Sequence, residues 1–120
     1  VAENMFGDIL SDLTGELSGS LGMAPSINAS VTQAMAQASH GSAPDIAGKG
    51  IANPVGMILS AAMLLAWLGG ERKDPAAGEA SQAIERAVSA VLEKGPRTRD
   101  LGGNASTTEF TAALVPHLAA

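Results

Sequence analysis

Two groups of residues in this 120-residue chain have types and spacings that could do chemistry. The first is Asp8 and Asp12. The second is the run His40-Gly41-Ser42-Ala43-Pro44-Asp45-Ile46-Ala47-Gly48-Lys49-Gly50-Ile51-Ala52-Asn53-Pro54. Residues four apart on a helix project from the same side, so the two aspartates share a face. Paired carboxylates suit a hard divalent cation such as Mg2+ or Mn2+, with substrate, water or another segment filling the remaining positions. A solvated face carrying two acids explains the spacing too, and spacing alone favours that reading.

The His40–Pro54 run holds three glycines and two prolines and cannot be a regular helix or strand. It lies between apolar, ordered-looking stretches and contains apolar residues of its own, which argues for a shaped loop rather than disorder. Glycine backbone can approach a ligand closely, Asp45 could accept hydrogen bonds from a ribose diol, and His40 offers a flat ring for stacking. Asn53 supplies a donor and an acceptor. A helix starting at Pro54 would aim its positive end at the loop and favour a phosphate. The order is not G-x-G-x-x-G, so this is not the dinucleotide fingerprint of a Rossmann unit. A tight Gly/Pro connection ending in a helix cap is the equally weighted alternative.

The elements that must hold these residues follow from the hydrophobic pattern. Asn4 to Leu17 reads as an amphipathic helix with Met5, Ile9 and Leu13 on one face, widened by Phe6, Leu10 and Leu17. Gly15, Gly19 and Gly22 are expected to end it. Met23 to Ala29 looks extended, Ser30 to Gln33 a turn, and Ala34 to Ser39 a short strand with a weak signal. Asn53 is expected as N-cap and Pro54 as the first residue of a central helix, apolar almost all round, through Leu68. Trp67 is expected in the core and Gly69-Gly70 as the stop. Glu71 to Gly78 reads as a surface loop. Glu79 to Lys94 reads as a helix burying Ala80, Ala83, Ile84, Ala87, Val88, Val91 and Leu92. Arg97, Arg99 and Asp100 read as a surface ion cluster in an irregular segment, and Lys49 and His117 as solvated. A last helix runs from Thr107 to Leu114 with Ser106 or Thr107 as cap and Pro116 at its end.

Composition narrows the class. With 46% apolar and 16% charged residues the chain is globular. Two Phe, one Trp and no Tyr leave Ala, Leu, Ile, Val and Met to build one small core. A net charge of −5 excludes a general nucleic-acid binder, and the absence of Cys excludes disulfides and thiolate chemistry. The run from Pro54 to Leu68 is short for a membrane span, and no secretory signal is visible at the start. The chain does not open on Met, and is expected to be a processed or truncated product.

Asn4-Met5-Phe6-Gly7-Asp8-Ile9-Leu10-Ser11-Asp12, His40 through Pro54, and Arg99-Asp100-Leu101-Gly102-Gly103 with Thr107, Thr108, Glu109 and Phe110 closely resemble the isocitrate/isopropylmalate dehydrogenase family. The resemblance runs along essentially the whole chain. It implies an α/β parent fold, of which residues 1–120 form a single C-terminal portion, mostly α-helical with one or two short strands. It implies a decarboxylating dehydrogenase of a small 2-hydroxy acid, in which the substrate gives its C2 hydride to a nicotinamide cofactor and then loses CO2. A divalent metal, Mg2+ or Mn2+, holds the substrate's hydroxyl and carboxylate and stabilises the enolate. Asp8 and Asp12 match two metal ligands. His40, Gly41, Ser42, Ala43, Asp45, Ile46 and Asn53 match the loop that binds the cofactor's adenosine. An acid at Asp45 points to NAD, because it would repel a 2′-phosphate.

The resemblance also implies what is missing. The family's catalytic Tyr and Lys, its substrate-clamping arginines and a third metal acid fall in a preceding segment, so no catalytic residue is expected in this chain. Gln37-Ala38-Ser39 departs from a more usual Glu-Pro-Val. No turnover is expected of the chain alone. The metal site is expected to be shared between subunits in a homo-oligomer, or completed by a companion chain. The expected setting is cytoplasmic, with no membrane and no nucleic acid. Self-association is expected through faces of the Val55–Leu68 helix left uncovered. The rival reading is a non-catalytic remnant that binds nucleotide or serves oligomerisation.

Overall fold

A computed structural model describes residues 2–17, 19 and 21–118. Its elements in chain order are α1 (Asn4–Leu17), β1 (Pro25–Ala29), β2 (Ala34–Ala38), α2 (Val55–Glu71), α3 (Pro75–Lys94) and α4 (Thr107–Leu114). Short 3₁₀ turns sit at Leu21–Met23, Pro44–Ile46, Arg99–Leu101 and Val115–His117. The described chain is therefore mostly helical with a two-stranded sheet, as expected. Ser18 and Ser20, in the stretch expected to end α1, lie outside the described residues.

β1 and β2 form an antiparallel hairpin whose register runs from Pro25 opposite Ala38 to Ala29 opposite Ala34. Pro25 is harmless because it stands at the strand's first position. The turn between the strands is closed by the Ser30 hydroxyl, which accepts from the Thr32 and Gln33 N–H groups. Trp67 is not a core residue. It is partly exposed, and its indole N–H donates to the Ser30 carbonyl at 3.0 Å, tying the hairpin tip to α2.

α2 is the central element. It packs on the hairpin on one side and on α3 on the other. The buried Ser60 hydroxyl lies 2.7 Å from both the Gln37 and Gly56 carbonyl oxygens and accepts from the Ser26 N–H at 3.2 Å. One polar atom thus joins both strands to the helix. Gly56 lets the segment before β1 lie against α2, since a Cβ there would stand 2.8 Å from the Gly22 carbonyl oxygen. Gly69-Gly70 does not stop the helix, which continues to Glu71. A Cβ on Gly69 would lie 2.9 Å from the Gly78 backbone nitrogen, so the glycine lets α3 start against the end of α2.

α3 begins earlier than expected, at Pro75 rather than Glu79. Asp74 caps it by accepting from the Ala76 and Ala77 N–H groups, and Pro75 fills the first turn. The earlier start exchanges part of the buried stripe. Ala77 and Ser81 are buried and Ala80 is exposed, while Ala87, Val88 and Val91 are buried as expected. The core is the cluster of Val55, Ala87, Val88, Val91, Phe110 and Leu114, flanked by partly buried Met23, Ile58 and Ile84. It lies where α2, α3 and α4 meet.

α1 has the expected span but not the expected burial. Met5, Phe6, Ile9, Leu10, Leu13 and Leu17 are all exposed, and only Gly15 of this helix is buried. The larger uncovered apolar face therefore belongs to α1, while α2, packed by the hairpin and α3, leaves Met57 exposed. No helix among the described residues is long and apolar enough to cross a membrane.

α4 opens with a capping box. The Glu109 carboxylate accepts from the Ser106 N–H and hydroxyl, both at 2.8 Å, and the Glu109 N–H donates to the Ser106 hydroxyl at 3.1 Å. The backbone bond first, then the hydroxyl, hold the Glu109 pKa below the usual glutamate range. Because the folded value is the lower one, Glu109's stabilisation is complete above the ordinary glutamate pKa. It is lost as pH falls through the lowered folded value. Thermal scans between neutral and acidic pH are expected to show a shallower acid decline for Glu109→Gln than for the parent chain. Identical slopes would remove Glu109 from the acid response.

Candidate cofactor cavity

The loop from His40 to Pro54 is irregular apart from the turn Pro44–Ile46. Its course depends on left-handed backbone. Gly48 and Gly50 have φ of 74° and 63°, where glycine is free of the Cβ penalty. Ala43 has φ 43° without that freedom. A non-glycine residue held there is uncommon, and such states collect at binding sites where surrounding structure over-determines the backbone.

The far end of the loop, from Gly50 to Asn53, is held by the segment that follows α3. Thr107 donates its N–H to the Gly50 carbonyl at 2.8 Å and its hydroxyl to the Ala52 carbonyl at 2.6 Å. Asn53 Nδ2 donates to Asp100 Oδ2 at 2.8 Å, and Asn53 Oδ1 accepts from the Val55 N–H at 3.0 Å. Pro54 takes the N-cap position of α2, one residue later than expected, and Asn53 still caps from outside it. Gly103 holds the partner segment together. Its N–H donates to the Thr98 carbonyl at 2.9 Å, and a Cβ there would collide with the Arg97 carbonyl.

Between the two segments lies an open cavity of about 690 Å³. That size falls in the ordinary range for small-molecule sites, roughly 300–1,000 Å³. His40, Gly41, Ser42, Ala43, Ile46 and Asn53 line it. Asp45 does not. It is exposed on the 3₁₀ turn beside the cavity, between the lining residues Ala43 and Ile46. His40 Nδ1 lies 2.9 Å from the Gly41 carbonyl oxygen and donates to it in the tautomer that carries the proton there.

Arg99 and Asp100 also line the cavity. Reading them as a separate surface cluster with Arg97 misses this, because the wall forms only when residues 47 positions apart meet. Arg97 turns elsewhere, donating to the Leu92 carbonyl at 3.3 Å. Lys49 and His117 are exposed, as expected.

Asp8 and Asp12 are exposed on α1 and share its outer side. No group of three or more His, Asp or Glu residues that could hold a metal occurs among the described residues. Two carboxylates are the right chemistry for a hard cation and too few to complete its coordination.

Comparison with known proteins matches this arrangement to one family. The family description isocitrate/isopropylmalate dehydrogenase fits residues 1–114. The isocitrate/homoisocitrate dehydrogenase of Thermus thermophilus is 56% identical over 118 residues, which are 98% of this chain and 33% of that protein. The 3-isopropylmalate dehydrogenase of Streptococcus thermophilus is 50% identical over 119 residues, again 98% of this chain and 33% of that protein. The crystal structure of isocitrate dehydrogenase from Methylococcus capsulatus superposes with a TM-score of 0.84 at 45% identity, covering 96% of this chain and 33% of that one. The chain belongs to the isocitrate/isopropylmalate dehydrogenase family. It spans about a third of the length of the curated relatives it matches.

Proposed function

We propose that this chain is the cofactor-side portion of an NAD-dependent, divalent-metal-dependent decarboxylating dehydrogenase of a small 2-hydroxy acid. The observation that carries the reading is the cavity walled by His40, Gly41, Ser42, Ala43, Ile46 and Asn53 in a chain of this family. Its volume suits the adenosine half of a dinucleotide, and glycine-rich backbone forms much of its wall. Asp45, at the rim, takes the ribose hydroxyls and disfavours a 2′-phosphate.

Asp8 and Asp12 contribute two ligands to a site for Mg2+ or Mn2+ that other parts of the enzyme complete. When bound, such a cation supplies Lewis-acid stabilisation of charge on the substrate's oxygens. The chain's own residues position the cofactor and donate two carboxylate oxygens. The proton-transfer groups and the substrate clamp come from elsewhere, so residues 1–120 act as one portion of a larger cytoplasmic enzyme. The open apolar face of α1 supports association with a second copy or a companion chain. Covering such a face on the helix that carries Asp8 and Asp12 would bring further ligands beside them.

Isothermal titration tests the reading. NAD is expected to bind the chain more tightly than NADP, with no turnover of isopropylmalate, isocitrate or tartrate in the presence of Mn2+. Tighter binding of NADP would overturn the NAD assignment, and no nucleotide binding at all would favour a structural remnant instead.

A further inference from the structure

Asn53 offers a carboxamide that could read a ligand, yet both of its polar ends are engaged within the chain. Oδ1 accepts from the Val55 N–H and Nδ2 donates to Asp100. Asp100 is engaged on both carboxylate oxygens, since Oδ1 accepts from the Thr98 hydroxyl at 2.6 Å. Thr98 is fully buried and Asn53 is 9% exposed, while Asp100 between them is exposed, so the network runs from the cavity wall's surface into the interior. The result is one continuous path, Thr98 to Asp100 to Asn53 to Val55. It joins the turn after α3 to the first turn of α2.

We infer that Asp100 is a positioning residue for the cofactor loop: through the Asn53 carboxamide it fixes the loop's end against α2 and sets the shape of the cavity. The inference rests on the nucleotide reading of that cavity. Three observations converge on it. The loop holds Ala43 in the left-handed region, a state that persists in a non-glycine residue only while neighbouring contacts enforce it. The contacts that enforce the loop's far end come from one segment, Asp100 to Asn53 and Thr107 to Gly50 and Ala52. Asp100 supplies the charged member of that set, and hydrogen bonds to a charged group are the stronger kind. Asn53 acts on the ligand through the backbone it holds, and Asp100 acts through Asn53.

Two readouts test the clamp, one of them without nucleotide. Amide hydrogen exchange on the ligand-free chain is expected to speed up by at least about tenfold at Val55 and across residues 47–53 in Asp100→Ala, the scale of one lost charge-assisted hydrogen bond. Asp100→Asn keeps an acceptor for Asn53 and is expected to restore much of the protection. It also serves where the alanine variant folds poorly. Unchanged exchange in these amides would overturn the clamp whether or not NAD binds. The second readout is a double-mutant cycle on NAD affinity with Asn53→Ala, Asp100→Ala and both together. Positioning through Asn53 predicts that the double variant binds NAD no worse than the weaker single variant. Additive losses would mean that the two residues act separately. Absence of NAD binding by the parent chain counts against the nucleotide reading and leaves the exchange result to decide the clamp.

Discussion

Replacing Phe110 with alanine is expected to lower the unfolding free energy by about 3–5 kcal/mol, the usual cost of deleting a buried aromatic side chain. Phe110 is fully buried in the cluster with Val55, Ala87, Val88, Val91 and Leu114. A small domain holds roughly 5–15 kcal/mol in total, so the variant sits near the edge of folding. The loss also reaches the cavity. α4 is eight residues long, too short to persist without packing, and Phe110 and Leu114 are its buried residues. When α4 loosens, Thr107 can no longer hold the Gly50 and Ala52 carbonyls. Urea unfolding is the direct measurement, with the midpoint falling and the slope unchanged. A shift below about 1 kcal/mol would mean that this cluster is not the core.

Asp45→Ala is expected to weaken NAD binding by about tenfold or more, the value of hydrogen bonds to a carboxylate. The exposure of Asp45 puts the effect at the lower end of that class. Asp45→Lys is expected to go further and invert the preference. A cation at that position attracts a 2′-phosphate, and the acid that repelled it is gone. The ratio of NAD to NADP dissociation constants is the quantity to follow, at fixed ionic strength because both effects are screened. An unchanged ratio in both variants would remove Asp45 from cofactor choice and leave the positions lining the cavity, Arg99 among them, to account for it.

Much of the fold was legible because it rests on local rules. The helical period of Asn4–Leu17 and of the stretch to Lys94, and the Ser106 cap with Glu109 three residues on, are decided within a turn or two of chain. Where local rules failed, a distant contact had overridden them. Gly69 signals a helix end by itself, and it is kept inside α2 because Gly78 must come close. Asp74-Pro75 carries start signals that Gly78 and the surrounding charges obscure. Ser60 on an apolar helix looks like an interruption until both strands are seen to bond to it. Trp67 looks like core until its indole N–H is seen to reach the hairpin tip.

The sequence by itself determined the family and the mostly helical framework, and it singled out two groups of candidate residues, Asp8 with Asp12 and His40 through Asn53. Residue type and short-range spacing suffice for those. Only the tertiary structure decided that Arg99 and Asp100 stand in the wall of the same cavity and that Asn53 is engaged at both ends. It alone showed that α1, more than α2, presents an open apolar face. The physical reason is that a helix pattern states that a face is apolar and not what covers it. Likewise, a hydrogen bond between positions 47 apart in sequence leaves no periodic trace in either segment.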